Sequence, residues 1–132
     1  MDNVNPIELS YETMTEQSPF TPEQEAAFRQ ITLKRAPSEL AQIEGHQTDS
    51  EAFAHLPGAV AAAFHLERFT EAKMLADRVL FLAPSFSQNW NYGNAIHIGH
   101  TVLGLLALEQ EDLKLAIEEL GKSLEIHPAH RN

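Results

Sequence analysis

Two stretches of this sequence match at a fixed offset, and that match limits the architectures open to the chain more than any other feature. The first reads Leu56-x-x-Ala59-Val60-x-x-Ala63, then Phe69, Ala72-x-x-x-Ala76 and Pro84. The second reads His100-x-x-Leu103-Gly104-x-x-Ala107, then Leu113, Ala116-x-x-x-Leu120 and Pro128. Every position of the first has its counterpart 44 residues later, from Leu56 and His100 to Pro84 and Pro128. Spacings of three and four, a break, a second such run and a closing proline describe two antiparallel helices written twice. Gly104 and the alanines allow the helices to approach closely, and Leu103, Leu113 and Leu120 fill the seam. Neither unit can bury its own faces, so one hairpin must stack on the next.

The punctuation elsewhere is helical too. Thr21-Pro22-Glu23-Gln24 is a start signal, with a Thr cap, Pro at the first helical position and Gln three residues after the cap. This helix is expected to reach Ala36 with Ala27, Phe28, Ile31 and Arg35 near one face, where Pro37 interrupts it and Ser38-Glu39-Leu40 starts a short second helix ending at Gly45. Thr48-Asp49-Ser50-Glu51 caps the next, in which Pro57 marks a kink or a fresh first turn. Thr70 is expected to cap a helix to Ala83, a long helix to run from Gln88 to Gln110, and Asp112 to cap the last. No stretch alternates with period two, so the chain reads as all-α. The expected organisation is an acidic flexible arm over 1–20 and one helical-repeat domain over 21–132, with N-terminal helices at 21–45 and hairpins at 53–84 and 88–128.

The repeated unit resembles the tetratricopeptide repeat, whose pattern is W-x-x-L-G-x-x-Y, then A-x-x-x-F, then P. The second copy keeps Leu103-Gly104; the first has Val60 in place of the glycine and Ala63 in place of the aromatic. The offset exceeds the usual repeat by about ten residues, essentially NWNYGNAIHI, which would lengthen the first helix of the second hairpin backward. That segment is also similar to one in bacterial tetratricopeptide-like proteins without an assigned activity. The resemblance implies a short right-handed α-solenoid with a concave, ligand-binding side.

Composition removes several classes of function. Nine Lys and Arg against nineteen Asp and Glu give a formal charge of −10, and the basic residues do not cluster, which disfavours nucleic acid. With no cysteine there is no disulfide framework, thiolate metal site or thiol nucleophile. MDNVNPIELS lacks the basic and apolar regions of a signal peptide, and no apolar run approaches a membrane span, so a cytoplasmic chain without membrane contact is expected.

NWNYGNAIHIGH, residues 89–100, carries the densest chemistry. Counted along a helix, Gly93, His97, His100, Gly104 and Ala107 share a face, and His100 takes the place of the repeat's tryptophan. The histidines therefore read as seam residues with hydrogen-bond partners. His97-x-x-His100 could alternatively hold a metal with ligands from elsewhere, such as His46, His55, His65, His127 or His130, but no H-E-x-x-H accompanies the pair. A general-base role lacks an oriented nucleophile. A second stripe holds Asn91, Asn94, Ile98, Thr101, Leu105 and Leu108, which the resemblance puts on the concave side with Ala54, Pro57, Ala61 and Phe64 of the preceding hairpin.

The expected function is thus a non-enzymatic protein–protein interaction module holding a peptide or helix through Phe64, Trp90, Asn91, Tyr92, Asn94, Ile98, Thr101 and Leu105. No cofactor is called for. The alternative is a small His-dependent metal-binding protein, potentially a hydrolase. The groove could equally be filled by the helix from Pro22 to Ala36, by the arm, or by a homodimer. Two further expectations concern the helical faces. The helix from Glu71 to Ala83 is apolar nearly all round and should be covered on both sides. The last helix should bury Leu113, Ala116, Ile117, Leu120 and Leu124 and turn Lys114, Glu118, Glu119, Lys122 and Glu125 to solvent, with Leu115 and Ile126 unexplained on that side.

Overall fold

The computed structural model describes residues 19–45 and 50–126. The greater part of the expected arm, the Thr48-Asp49 half of a capping cluster, His46 and residues 127–132 lie outside the described residues. The described chain is helical: α1 (Pro22–Gly45), α2 (Ser50–His65), α3 (Phe69–Leu82), a 3-10 turn (Ala83–Phe86), α4 (Tyr92–Glu109) and α5 (Leu113–Glu125). There is no strand among the described residues, and none of their helices is long and apolar enough to cross a membrane.

Each helix packs on the next in sequence, and α2 also packs on α4. The core forms where α2, α3 and α4 meet. Phe53, Leu56, Val60, Leu75 and Val79 are fully buried there among Ala59, Ala63, Ala72, Ala76 and Ala95. The rings of Phe53 and Phe86 stack at 4.5 Å, which fastens the 3-10 turn to α2. Alanine at so many contact positions lets the helix axes come close.

Several boundaries differ from the sequence reading, each for a local reason. α1 is one helix, not two, with Pro37 inside it. Leu33, Ala36 and Ile43 are buried, with Leu40 half-buried beside them, so the apolar stripe continues in register through the proline. Burial on both sides outweighs the one hydrogen bond that proline removes. The buried face is also not the expected one, because Phe28 and Ile31 are about half exposed. α2 likewise runs unbroken through Pro57, which is itself buried. Thr70 does not cap α3; Arg68 occupies that position without a side-chain cap. α4 begins at Tyr92 rather than Gln88, because the Asn89 side chain accepts a hydrogen bond from the Asn91 N–H at 2.8 Å and so competes with helical pairing.

Other capping signals were read as they stand. Thr21 Oγ1 accepts from the Gln24 N–H at 3.1 Å, and Gln24 Oε1 accepts from the Thr21 N–H at 2.9 Å, a reciprocal capping box. Asp112 Oδ1 accepts from the Leu115 N–H at 3.2 Å.

The turns joining α2 to α3 and α4 to α5 have the same backbone. In the first, the Arg68 N–H donates to Ala63 O at 2.9 Å and the Glu67 N–H to Phe64 O at 3.0 Å. In the second, the Asp112 N–H donates to Ala107 O at 2.9 Å and the Glu111 N–H to Leu108 O at 3.0 Å. Glu67 and Glu111, 44 residues apart, hold the left-handed conformation, with φ of 59° and 58°. This geometry fixes Arg68 as the residue entering α3, which is why Thr70 falls inside the helix.

Two predicted faces hold only in part. α3 is covered on one side only: Met74 and Phe81 stay exposed, and the Arg78 guanidinium lies 5.7 Å over the Phe81 ring. α5 packs on α4 and leaves the outer side of α3 uncovered, so a groove of about 700 Å³ lies between α3 and α5 with Leu103 and Leu106 of α4 among its lining. In α5 the buried residues are Ala116 and Ser123, with Glu119 and Leu120 half-buried, while Leu113, Ile117 and Leu124 face outward. The hydrogen-bonding side of α5, not its most apolar stripe, faces α4.

Left-handed backbone costs about 1–2 kcal/mol for a residue with a Cβ. Glu67→Gly and Glu111→Gly are each expected to raise stability by about 1 kcal/mol in urea denaturation, after allowance for the freer unfolded chain. Gly104→Ala should do the reverse. Its Cβ would lie 2.6 Å from Leu120 Cγ and 3.2 Å from the Leu120 backbone N, so a loss of about 1–3 kcal/mol is expected.

Candidate functional site

The polar groups of residues 89–101 divide between holding the fold and facing a groove. Asn89 Nδ2 donates to Ser50 O at 2.8 Å. Asn91 is buried, and its Nδ2 donates to Ala54 O at 2.8 Å. These two bonds clamp the entry to α4 against the first turns of α2. The clamp pushes Trp90, between them, outward: its side chain is 73% exposed. Asn94, in the first turn of α4, makes no side-chain hydrogen bond among the described residues.

The groove lies between α1, α2 and the start of α4 and has a volume of about 430 Å³. Thr32, Arg35 and Glu39 line it from α1, Ala54, His55 and Gly58 from α2, and Trp90, Asn91 and Asn94 from the third side. Glu39 is buried, and its Oε2 accepts from His55 Nδ1 at 2.7 Å, which satisfies the carboxylate. Arg35 is exposed and forms no ion pair among the described residues. Among the described residues, an open indole, an amide without a side-chain partner and a guanidinium without an ion pair thus border a hollow of a few side chains' volume. Such a set can stack, exchange paired hydrogen bonds with a peptide group and receive a carboxylate.

The structure gathers Trp90, Asn91 and Asn94 of the expected contact residues, and seats the others elsewhere. Phe64 is half-buried beside Phe69, ring centroids 5.7 Å apart. Tyr92 and Ile98 pack against the core. Leu105 is half-buried and lines neither groove. Thr101 points to α5, where its Oγ1 lies 2.6 Å from Ser123 Oγ. Arg35, Thr32 and the Glu39–His55 pair were not among the expected contacts. Glu39 reaches the groove because α1 continues past Pro37, which the proline argued against; Thr32 and Arg35 lie on the expected first helix and are brought there by its packing on α2.

The histidines lie in the α4–α5 seam. His100 Nδ1 donates to Glu119 Oε2 at 2.7 Å, and both side chains are largely covered. His97 Nδ1 lies 2.8 Å from Ser123 Oγ, so His97, Thr101 and Ser123 share hydrogen bonds. Glu119 is accordingly a seam residue and not the solvent-facing one its charge suggested. No three His, Asp or Glu side chains gather as metal ligands among the described residues. Desolvation, and secondarily the Arg29 guanidinium, hold His65 below its ordinary value of 6.5; it lies outside the groove.

Comparison with protein-family models, curated proteins and solved structures found no match.

Asn91→Ala removes the buried amide bond that ties α4 to the Ala54 carbonyl of α2 and should cost about 1 kcal/mol in urea denaturation, whereas Asn94→Ala should leave stability unchanged. The double variant His97→Ala, His100→Ala should lose stability to a similar or greater degree in metal-free buffer. Stoichiometric zinc in the native protein that disappears from a still-folded double variant would reassign the histidines to a metal site.

Proposed function

We propose that this chain is a non-enzymatic interaction module that takes a short peptide or one turn of a helix in the groove between α1, α2 and α4. The observation that carries the reading is Trp90, held out by the Asn89 and Asn91 clamp on either side. A large apolar ring kept exposed, beside an amide and a cation that have no side-chain partner among the described residues, suits a binding surface. Trp90 supplies the buried area, Asn94 orients a backbone amide, and Arg35 meets an acidic side chain or a terminal carboxylate of the ligand. The groove differs from the one drawn from sequence, having less aliphatic base and more charge. A tetratricopeptide-like architecture belongs to the same proposal, on the basis of the 44-residue match together with the two turns of like backbone. The metal-binding alternative has less behind it, since both seam histidines have partners inside the fold.

Trp90 is the chain's one tryptophan, so its emission reports occupancy directly. A peptide library screened against the full chain should yield ligands carrying an acidic residue, and their binding should shift the emission to shorter wavelength. Trp90→Ala and Arg35→Glu should each weaken such a ligand by about tenfold or more. Ligands indifferent to both substitutions would place recognition elsewhere on the molecule.

A further inference from the structure

We propose that the outer face of α5 is a self-association surface, on which a second copy of this chain docks antiparallel about a two-fold axis. The inference concerns a different face from the groove and does not depend on it. Leu113, Ile117 and Leu124 are 63%, 73% and 69% exposed. At about 100° per residue they form one narrow stripe, and Gly121 falls at its edge. A glycine inside a helix weakens it relative to alanine. Gly104 is required because Leu120 sits on it; Gly121 has no such reason, since a Cβ there would meet nothing within 4 Å. An apolar stripe with a hole in it is the shape that admits another helix at close range.

The charges say which helix. Lys114 and Glu125 lie on the same flank of the stripe at opposite ends of α5, and neither forms an ion pair among the described residues. An antiparallel pair centred between Ile117 and Gly121 seats Ile117 of each copy over Gly121 of the other. The same register brings Lys114 of each copy to Glu125 of the other, so two ion pairs form by symmetry. A parallel pair would keep Lys114 and Glu125 of the two copies at opposite ends and form neither ion pair. One surface thus complements itself, as a two-fold interface must, with knob, hole and flanking charges in a single register.

Sedimentation equilibrium of the full chain from micromolar to millimolar concentration tests this. The apparent mass should rise from the monomer's 14.7 kDa toward twice that value. Ile117→Glu, and Gly121→Gln which plugs the hole, should each weaken association by about tenfold or more without loss of helical circular dichroism, since both side chains point outward in the monomer. Lys114→Glu should weaken it as well, and adding Glu125→Lys to that variant should restore it. A chain that stays monomeric throughout overturns the proposal. So does a dimer indifferent to Ile117→Glu and Gly121→Gln, or a charge swap that fails to restore association. A dimer lost when residues 1–18 are deleted would put that segment, not α5 of a second copy, on this face, and would equally overturn it.

Discussion

Two glycines of α4 set the spacing on which the rest of the molecule depends. A Cβ at Gly99 would lie 2.8 Å from Leu80 Cγ, and one at Gly104 would lie 2.6 Å from Leu120 Cγ. Each glycine is a socket for a leucine from a neighbouring helix, one on the α3 side and one on the α5 side. α4 also packs on α2, so the helix with the sockets is the one on which three others converge. Moving α5 outward by the width of a methyl group would part His100 from Glu119 and Ser123 from His97, because hydrogen bonds lengthened by that much are lost. The close approach and the polar seam are therefore one arrangement, apolar at the sockets and hydrogen-bonded along the edge.

Polar groups inside this fold are spent on holding it. Among the described residues, no buried side-chain nitrogen or oxygen lacks a partner. The Glu39 carboxylate goes to His55, the Glu119 carboxylate to His100, and the Asn91 amide to the Ala54 carbonyl. A buried polar atom without a partner would cost more than the bond it makes contributes. That rule separates structural from available groups within a single hexapeptide. Of NWNYGN, Asn89 and Asn91 are committed to α2, and Trp90 and Asn94 are left facing outward. The same logic explains why α5 turns Ala116, Glu119 and Ser123 toward α4. Histidines and a threonine on α4 require hydrogen-bonding partners, and an all-leucine face would have left them unsatisfied. The apolar stripe of α5 is exposed as a consequence.

Much of the architecture was legible in the sequence because it rests on local chemistry. The capping box at Thr21 and Gln24, the Asp112 cap and the positions of most helices follow from side chains acting within four residues of themselves. The match between Glu67 and Glu111 surroundings, read as residue pattern, reappears as two turns of the same backbone. The seam position of His97 and His100 was legible too, since they share a helical face with Gly104. What failed were inferences across space. A proline was given more weight than a stripe of buried residues on both sides of it, at Pro37 and again at Pro57. Hydrophobicity alone does not give the buried face of α3 or α5, which leave Met74, Phe81, Leu113, Ile117 and Leu124 exposed.

Residue order by itself thus determined that the chain is all helix, where most helices begin, and that Gly104 would allow a close helix approach, because caps, glycines and periodicity act at short range. Only the tertiary structure decided which faces meet, since that depends on the partners that buried polar groups must find in other helices. It was the tertiary structure, accordingly, that drew Arg35 and Thr32 to the groove beside Trp90, took Thr101 away from it, and left Leu113, Ile117 and Leu124 on the outside.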